Sequence, residues 1–154
     1  MPLSSTYLFK DLPSSQLRRL TDAASEIEVL EGHYLFREGN SADYVYVLES
    51  GAVEMLTNVN DDFELPVSII RSAGRCIGTS SLVPPYQYSL SARCVEKAAL
   101  FKIKLEDLQH LIQEDKALGH AIMTNLAQHL LERLKETRRE LKIHFNTLFR
   151  SMHS

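Results

Sequence analysis

The chain has 154 residues, 44% of them hydrophobic and 24% charged, with a formal net charge of −3; this supplies the core of one compact domain, or of one domain with an appended helix. Its longest apolar runs fall far short of the roughly 18 to 20 residues of a membrane helix, its N-terminus lacks a secretory pattern, and its mild acidity gives no basic footprint for nucleic acid. Cys76 and Cys94 have no partners at close spacing, which excludes a disulfide framework, a zinc knuckle or an iron–sulfur cluster built on cysteines and makes a reducing cytoplasm the expected location.

In chain order, Leu8, Phe9, Leu12, Leu17 and Leu20 recur at helical spacing, and Pro13 before Ser14 and Ser15 is a helix-start signal, so a short helical cap is predicted over 5–24. From Ser25 the period falls to two. Ile27 and Val29 alternate with glutamates, and Tyr34–Phe36, Tyr44–Leu48 and Val53 with Met55 form short runs separated by Gly32, Gly39 and Gly51. A polar hairpin tip at Asn58–Asp62 precedes alternating Leu65, Val67 and Ile69; Leu90 with Ala92, and Ala99, Phe101 and Ile103, extend the pattern. Short strands at spacings of about ten residues predict an antiparallel sandwich or barrel, with Leu35, Phe36, Tyr46, Leu48 and Val53 filling its inside.

From Leu105 onward there is no proline and the only glycine is Gly119, so the last third is predicted helical, with a break near Asp115. In the second helix Ala127, Leu130, Leu134, Thr137, Leu141, His144 and Leu148 follow one another at alternating three- and four-residue steps, the seam of a two-stranded coiled coil with two polar members. Mixed charges from Glu132 to Lys142 flank it. A homodimer through residues 120–148 is expected, the alternative being a helix packed on its own barrel.

No catalytic constellation is present. There is no G-x-S-x-G elbow, H-E-x-x-H pair or Walker loop, and the histidines His33, His110, His120, His129, His144 and His153 are scattered. No residue is assigned to catalysis or to a metal, and an enzyme is not expected.

The informative block is Glu31–Met55, with Gly32, Leu35-Phe36, Glu38-Gly39-Asn40, Asp43, Tyr46-Val47-Leu48 and Ser50-Gly51-Ala52-Val53. This stretch resembles the cyclic-nucleotide-binding domain family, whose pattern places a glycine, an apolar pair ending in Phe, a Glu-Gly-Asp/Asn turn, an acidic residue, an aromatic-apolar strand and a Ser-Gly-x-Val turn at these spacings. Phe9 and Leu12 resemble its N-terminal cap, and residues 105–148 its two C-terminal helices. The resemblance implies a mainly β fold with α elements: a jelly-roll β-barrel with helical cap over 1–114, then a long C-terminal dimerisation helix and tail over 115–154.

The family holds its ligand's phosphate on a cassette of pattern F-G-E-x-A-L, a variable loop, and R-x-A-T-V-x-A, using backbone N–H groups, an Arg on the phosphate and a carboxylate on the ribose hydroxyl. Here the segment reads Ile77-Gly78-Thr79-Ser80-Ser81-Leu82, then Val83-Pro84-Pro85-Tyr86-Gln87-Tyr88-Ser89-Leu90-Ser91-Ala92. Tyr86 stands at the arginine position and Thr79 at the glutamate position; Arg93 comes too late and Arg75 precedes the turn. Losing both charged contacts is worth about 3 to 6 kcal/mol, or some two to four decades of affinity, so an ordinary cyclic nucleotide is not the expected ligand.

The resemblance implies a non-catalytic sensor domain like those of the catabolite-activator and fumarate-nitrate-regulator superfamily of bacterial transcription regulators, with a small-molecule effector of non-standard kind. The expected site is Gly78, Thr79, Ser80, Ser81 and Leu82 as the turn facing the ligand, Tyr86, Tyr88 and Ser89 as the opposite wall, and Thr137 as a contact from the dimer helix in an Arg-Leu-x-x-Thr context beginning at Arg133. DNA is expected to be contacted only through a helix-turn-helix domain absent from this chain. Two alternatives stand beside this reading. One is a haem-based gas sensor on the same fold, drawing on Cys76, His120 and Pro2; the other is a ligand-free dimerisation module whose pocket is filled by Tyr86 and Tyr88.

Overall fold

A computed structural model of the chain describes residues 3–153. Two 3₁₀ turns, Leu3–Ser5 and Tyr7–Phe9, precede helix α1 (Ser14–Ala23). The cap expected as one helix over 5–24 is thus broken: Asp11 takes a left-handed φ of 62°, and Pro13, which has no N–H to continue a helix, stands instead as the residue capping α1.

Six strands follow: β1 (Ala24–Val29), β2 (Tyr34–Phe36), β3 (Tyr44–Asn60), β4 (Phe63–Ile70), β5 (Cys76–Ile77) and β6 (Ser91–Lys104). All pairings are antiparallel, in the order β1-β6-β3-β4 with β2 on β6 and β5 on β3. The spine is the β3–β6 ladder, which runs from Tyr44 opposite Lys104 to Leu56 opposite Ser91. Gly51, expected to separate two strands, lies inside β3. It sits at φ 91° where the register shifts on both sides, so the chain bends at a bulge without leaving the sheet.

Two apolar clusters fill the molecule. The barrel interior holds Phe36, Tyr46, Leu48, Val53, Tyr88 and Leu100. Leu35 packs against that cluster as a partly buried neighbour. A second cluster joins the cap to the helices through Leu8, Phe9, Leu20, Leu108, Leu118 and Ile122. On β4 the period-two pattern forms a strand but faces outward: Leu65, Val67 and Ile69 are 46%, 52% and 50% exposed.

Helix α2 (Leu105–Glu114) and helix α3 (Lys116–His153) are separated at Asp115, which leaves helical geometry with ψ 95°. The Asp115 Oδ1 accepts the Leu118 N–H at 3.1 Å, capping the first turn of α3, and this bond is the chief cause holding the Asp115 carboxyl below its usual range. With 38 residues α3 is about 57 Å long. Only its root is buried, at Leu118, Gly119, Ile122, Asn125 and Leu126; from residue 131 onward every described side chain is exposed.

Asn125 ties this root to the cap. Its Nδ2 donates to the carbonyls of Leu8 at 3.1 Å and Lys10 at 3.2 Å. Asn125→Leu leaves two carbonyls at a buried contact without a donor, and an equilibrium urea melt is expected to show a loss of about 1 to 3 kcal/mol.

Candidate ligand-binding site

Residues 77–90 form a loop laced to the turn at 38–43. The N–H groups of Gly39 and Ala42 donate to the carbonyls of Tyr88 and Tyr86 at 2.8 and 2.9 Å, and the Tyr88 N–H donates to the Asn40 carbonyl at 3.1 Å. Gly78 opens a single 3₁₀ turn, Thr79–Leu82, from a left-handed φ of 88°. A Cβ there would lie 3.1 Å from the Tyr88 ring and 3.2 Å from the Phe36 ring, which are themselves stacked with centroids 3.7 Å apart. Only glycine lets the turn lie directly on this aromatic pair.

Between the turn and the root of α3 is a cavity of about 370 Å³, within the size range of small-molecule sites. The barrel contributes Met55, Ile70 and Ile77, the loop contributes Gly78, Thr79, Ser80 and Ser89, and α3 contributes Leu126, His129, Leu130 and Arg133. Arg75, just before β5, and Cys76, its first residue, also line the cavity. The Ser89 N–H donates to Ser80 Oγ at 3.1 Å, closing the loop across its mouth.

Of the nine residues expected to form the site, Gly78, Thr79, Ser80 and Ser89 line this cavity, whereas Ser81, Leu82, Tyr86, Tyr88 and Thr137 do not. Ser81 is fully buried, and its hydroxyl donates to the Gly78 carbonyl at 2.6 Å. Leu82 belongs to the core beneath the cap. Tyr88 is a structural residue: its hydroxyl donates to the Tyr44 carbonyl at 2.7 Å and accepts the Tyr44 N–H at 3.1 Å. Tyr86 is 41% exposed at a left-handed φ of 59°. The cavity is therefore open without either tyrosine, contrary to the expectation of a pocket they fill. Thr137 lies one turn beyond Arg133 and spends its hydroxyl on the Arg133 carbonyl at 2.9 Å.

Arg75, set aside in the sequence because it precedes the turn, lines the cavity with no rearrangement of the loop. Burial lowers the His129 pKa, and the neighbouring Arg75 and Arg133 charges lower it further, against an opposing pull from Glu132 and Glu136. Tyr7 stacks on the His129 ring at 3.9 Å, and burial pushes its phenol up. Among the described residues, no Asp or Glu lines the cavity.

Of the residues the haem alternative draws on, Cys76 lines the cavity. The Cys76 thiol is pushed up to about 12, chiefly by burial. It shares a hydrogen bond with Thr6 Oγ1 at 2.9 Å. His120 is exposed and off the cavity, and Pro2 lies outside the described residues.

The family profile described as the cyclic nucleotide-binding domain matches residues 26–115, and the chain belongs to that family. The anaerobic regulatory protein of Bacillus subtilis (strain 168) is 28% identical over 151 residues, covering 94% of this chain and 63% of the relative; the chain thus spans less than two thirds of that protein. A Geobacter metallireducens GS-15 structure, provisionally described as a cyclic nucleotide-binding protein, superposes with a TM-score of 0.75 at 29% identity over 86% of this chain and 95% of that one. The sensor domain of the transcriptional regulator DNR from Pseudomonas aeruginosa shares the fold, with a TM-score of 0.66 at 23% identity over 83% of this chain and 90% of its own. The architecture is the jelly-roll type of these domains. No helix among the described residues is long and apolar enough to cross a membrane.

Proposed function

We propose that this chain is a non-catalytic, cytoplasmic ligand-sensing domain that acts as a homodimer through residues 120–148, with its small-molecule effector in the cavity between the 78–80 turn and α3. The observation that carries this reading is the composition of the cavity wall, drawn from both the barrel and the long helix. A ligand held there fixes the pose of α3 against the barrel, a two-state element of the kind that transmits binding to a distant domain. DNA recognition is assigned to a separate helix-turn-helix domain, since these residues carry a net charge of −3.

The exposed half of α3 supports the dimer. Leu130, Leu134, Leu141 and Leu148 of the heptad seam are 53%, 52%, 66% and 64% exposed, and a helix with no packing is marginal in water. A second copy laid along the seam buries these leucines and leaves Thr137 and His144 as its polar members.

Native mass spectrometry of the purified protein, exposed to the small-molecule fraction of a cell extract, tests the proposal. The expected result is a dimer carrying a non-covalently bound small molecule that is lost in Ser89→Trp, which fills the cavity. A bare monomer, or a bound mass that Ser89→Trp retains, overturns it.

A further inference from the structure

The cavity gathers positive charge from two elements, and its lining among the described residues includes no carboxylate. Arg75 precedes β5; its backbone is fixed where its carbonyl accepts the Leu48 N–H at 3.0 Å. Its side chain is half-buried, and its Nε is sealed from solvent with no hydrogen-bond partner among the described residues. A buried guanidinium N–H without an acceptor is costly and rare, and it marks a place where an acceptor belongs. Arg133 of α3 lines the same cavity. Its nearest carboxylate is Glu136 on the same helix at 3.9 Å, too far for a hydrogen bond, with both side chains about half exposed. One turn earlier on α3, His129 also lines it, as do Thr79, Ser80 and Ser89.

We propose that Arg75 and Arg133 form a two-sided clamp for an anionic group, a phosphate or a carboxylate, on a ligand whose apolar part lies against Met55, Ile70, Leu126 and Leu130. The proposal rests on the reading of this cavity as the effector site and names the ligand class it takes. Guanidinium forks suit both oxyanions. Tyr86 leaves the family's arginine position without charge; here the charge comes from one residue before the turn and one on the long helix. Because the two arginines sit on different bodies, the anion becomes the bridge between barrel and α3, and effector binding and helix position become one equilibrium.

The groups around His129 give the clamp a proton signature. Facing it are Tyr7 from the cap, Arg75 from the barrel, and Arg133, Glu132 and Glu136 on α3. The two guanidiniums favour the neutral imidazole; an anion seated between them cancels part of that field and raises the His129 pKa. The complex then binds more protons than the free protein, so affinity for the anion rises as pH falls through the His129 titration.

Sulfate, a dianion throughout the neutral range, is the probe, titrated into the full chain against chloride at constant ionic strength with thermal shift and calorimetry as readouts. Wild type is expected to bind sulfate saturably. Arg75→Gln and Arg133→Gln are each expected to weaken it about tenfold to a hundredfold, Arg75→Lys to restore part of the loss, and His129→Gln to flatten the rise in affinity toward low pH. Circular dichroism melts of each variant separate lost binding from lost folding. Sulfate acting no differently from chloride overturns the clamp, as does binding that the folded arginine variants retain. If the extract-derived molecule still binds the Arg75→Gln/Arg133→Gln double variant, the clamp fails while the sensor reading stands. If sulfate binds as described while no extract molecule is retained by wild type, the anion site stands and the sensor reading fails.

Discussion

Gly51→Ala is expected to destabilise the domain by about 3 kcal/mol or more, enough to leave a marginally stable barrel largely unfolded. Two costs add. Alanine at φ 91° is strained by about 1 to 3 kcal/mol. Its Cβ would also stand 2.3 Å from the Lys97 carbonyl oxygen and 2.6 Å from the Ala98 Cα, both backbone atoms of the facing strand β6. Neither can rotate away, so relief requires opening the β3–β6 ladder at the bulge. Gly39→Ala is the matched control, since its φ of 85° carries the same strain with nothing within 4 Å of the added Cβ. Urea denaturation of both variants should show Gly51→Ala losing well over twice as much as Gly39→Ala; equal losses would mean that conformational strain alone matters at position 51.

The second large effect is expected at the root of the long helix. Ile122 is fully buried in the cluster it shares with Leu8, Phe9, Leu108 and Leu118, and truncating a buried isoleucine to alanine costs about 2 to 5 kcal/mol, with the spread set by how far the site collapses. Because the deleted atoms hold α3 to the cap, the loss should be uneven in space. Hydrogen exchange is expected to accelerate most over residues 116–130, and much less in the β3–β6 ladder. Uniform acceleration would show that cap, helix and barrel unfold as one unit and that α3 has no separate freedom for a ligand to bias.

Local signals carried most of the architecture. Pro13-Ser14 and Asp115 mark α1 and the α2–α3 break because they act through a few neighbouring backbone groups. The heptad leucines of α3 lie exposed along one continuous helix. What failed to show in the sequence is mostly direction. Period two at Leu65, Val67 and Ile69 specifies a strand, but nothing local says which face meets the core, and here the apolar face is the outer one. A positive-φ glycine reads the same in a turn and in a strand bulge, so Gly51 looks like a separator while β3 runs through it.

The site was half legible for the same reason. Gly78, Thr79, Ser80 and Ser89 line the cavity because backbone geometry places them. Tyr88 turns its ring onto Phe36 and its hydroxyl onto Tyr44, an orientation fixed by residues more than forty positions away. Arg75 was discounted on linear order, yet the short β5 pairing with β3 carries it into the cavity lining. A charged residue before an apolar pair gives no sign of where its side chain ends; only the packed helix supplies the opposite wall.

The uneven burial of α3 has a mechanical meaning. Its anchored segment ends at Leu126, and the remainder, to His153, extends about 40 Å at 1.5 Å per residue. A tilt about that anchor would make it a lever beside the cavity, carrying His129 and Arg133 near the fulcrum and most of the seam beyond them. A tilt of about 5° at the pivot, less than an ångström at Arg133, moves the tip by about 3 to 4 Å, comparable to the element shifts that separate signalling states. The same gearing runs in reverse, so a body clamping the far end would set the gap between the two arginines.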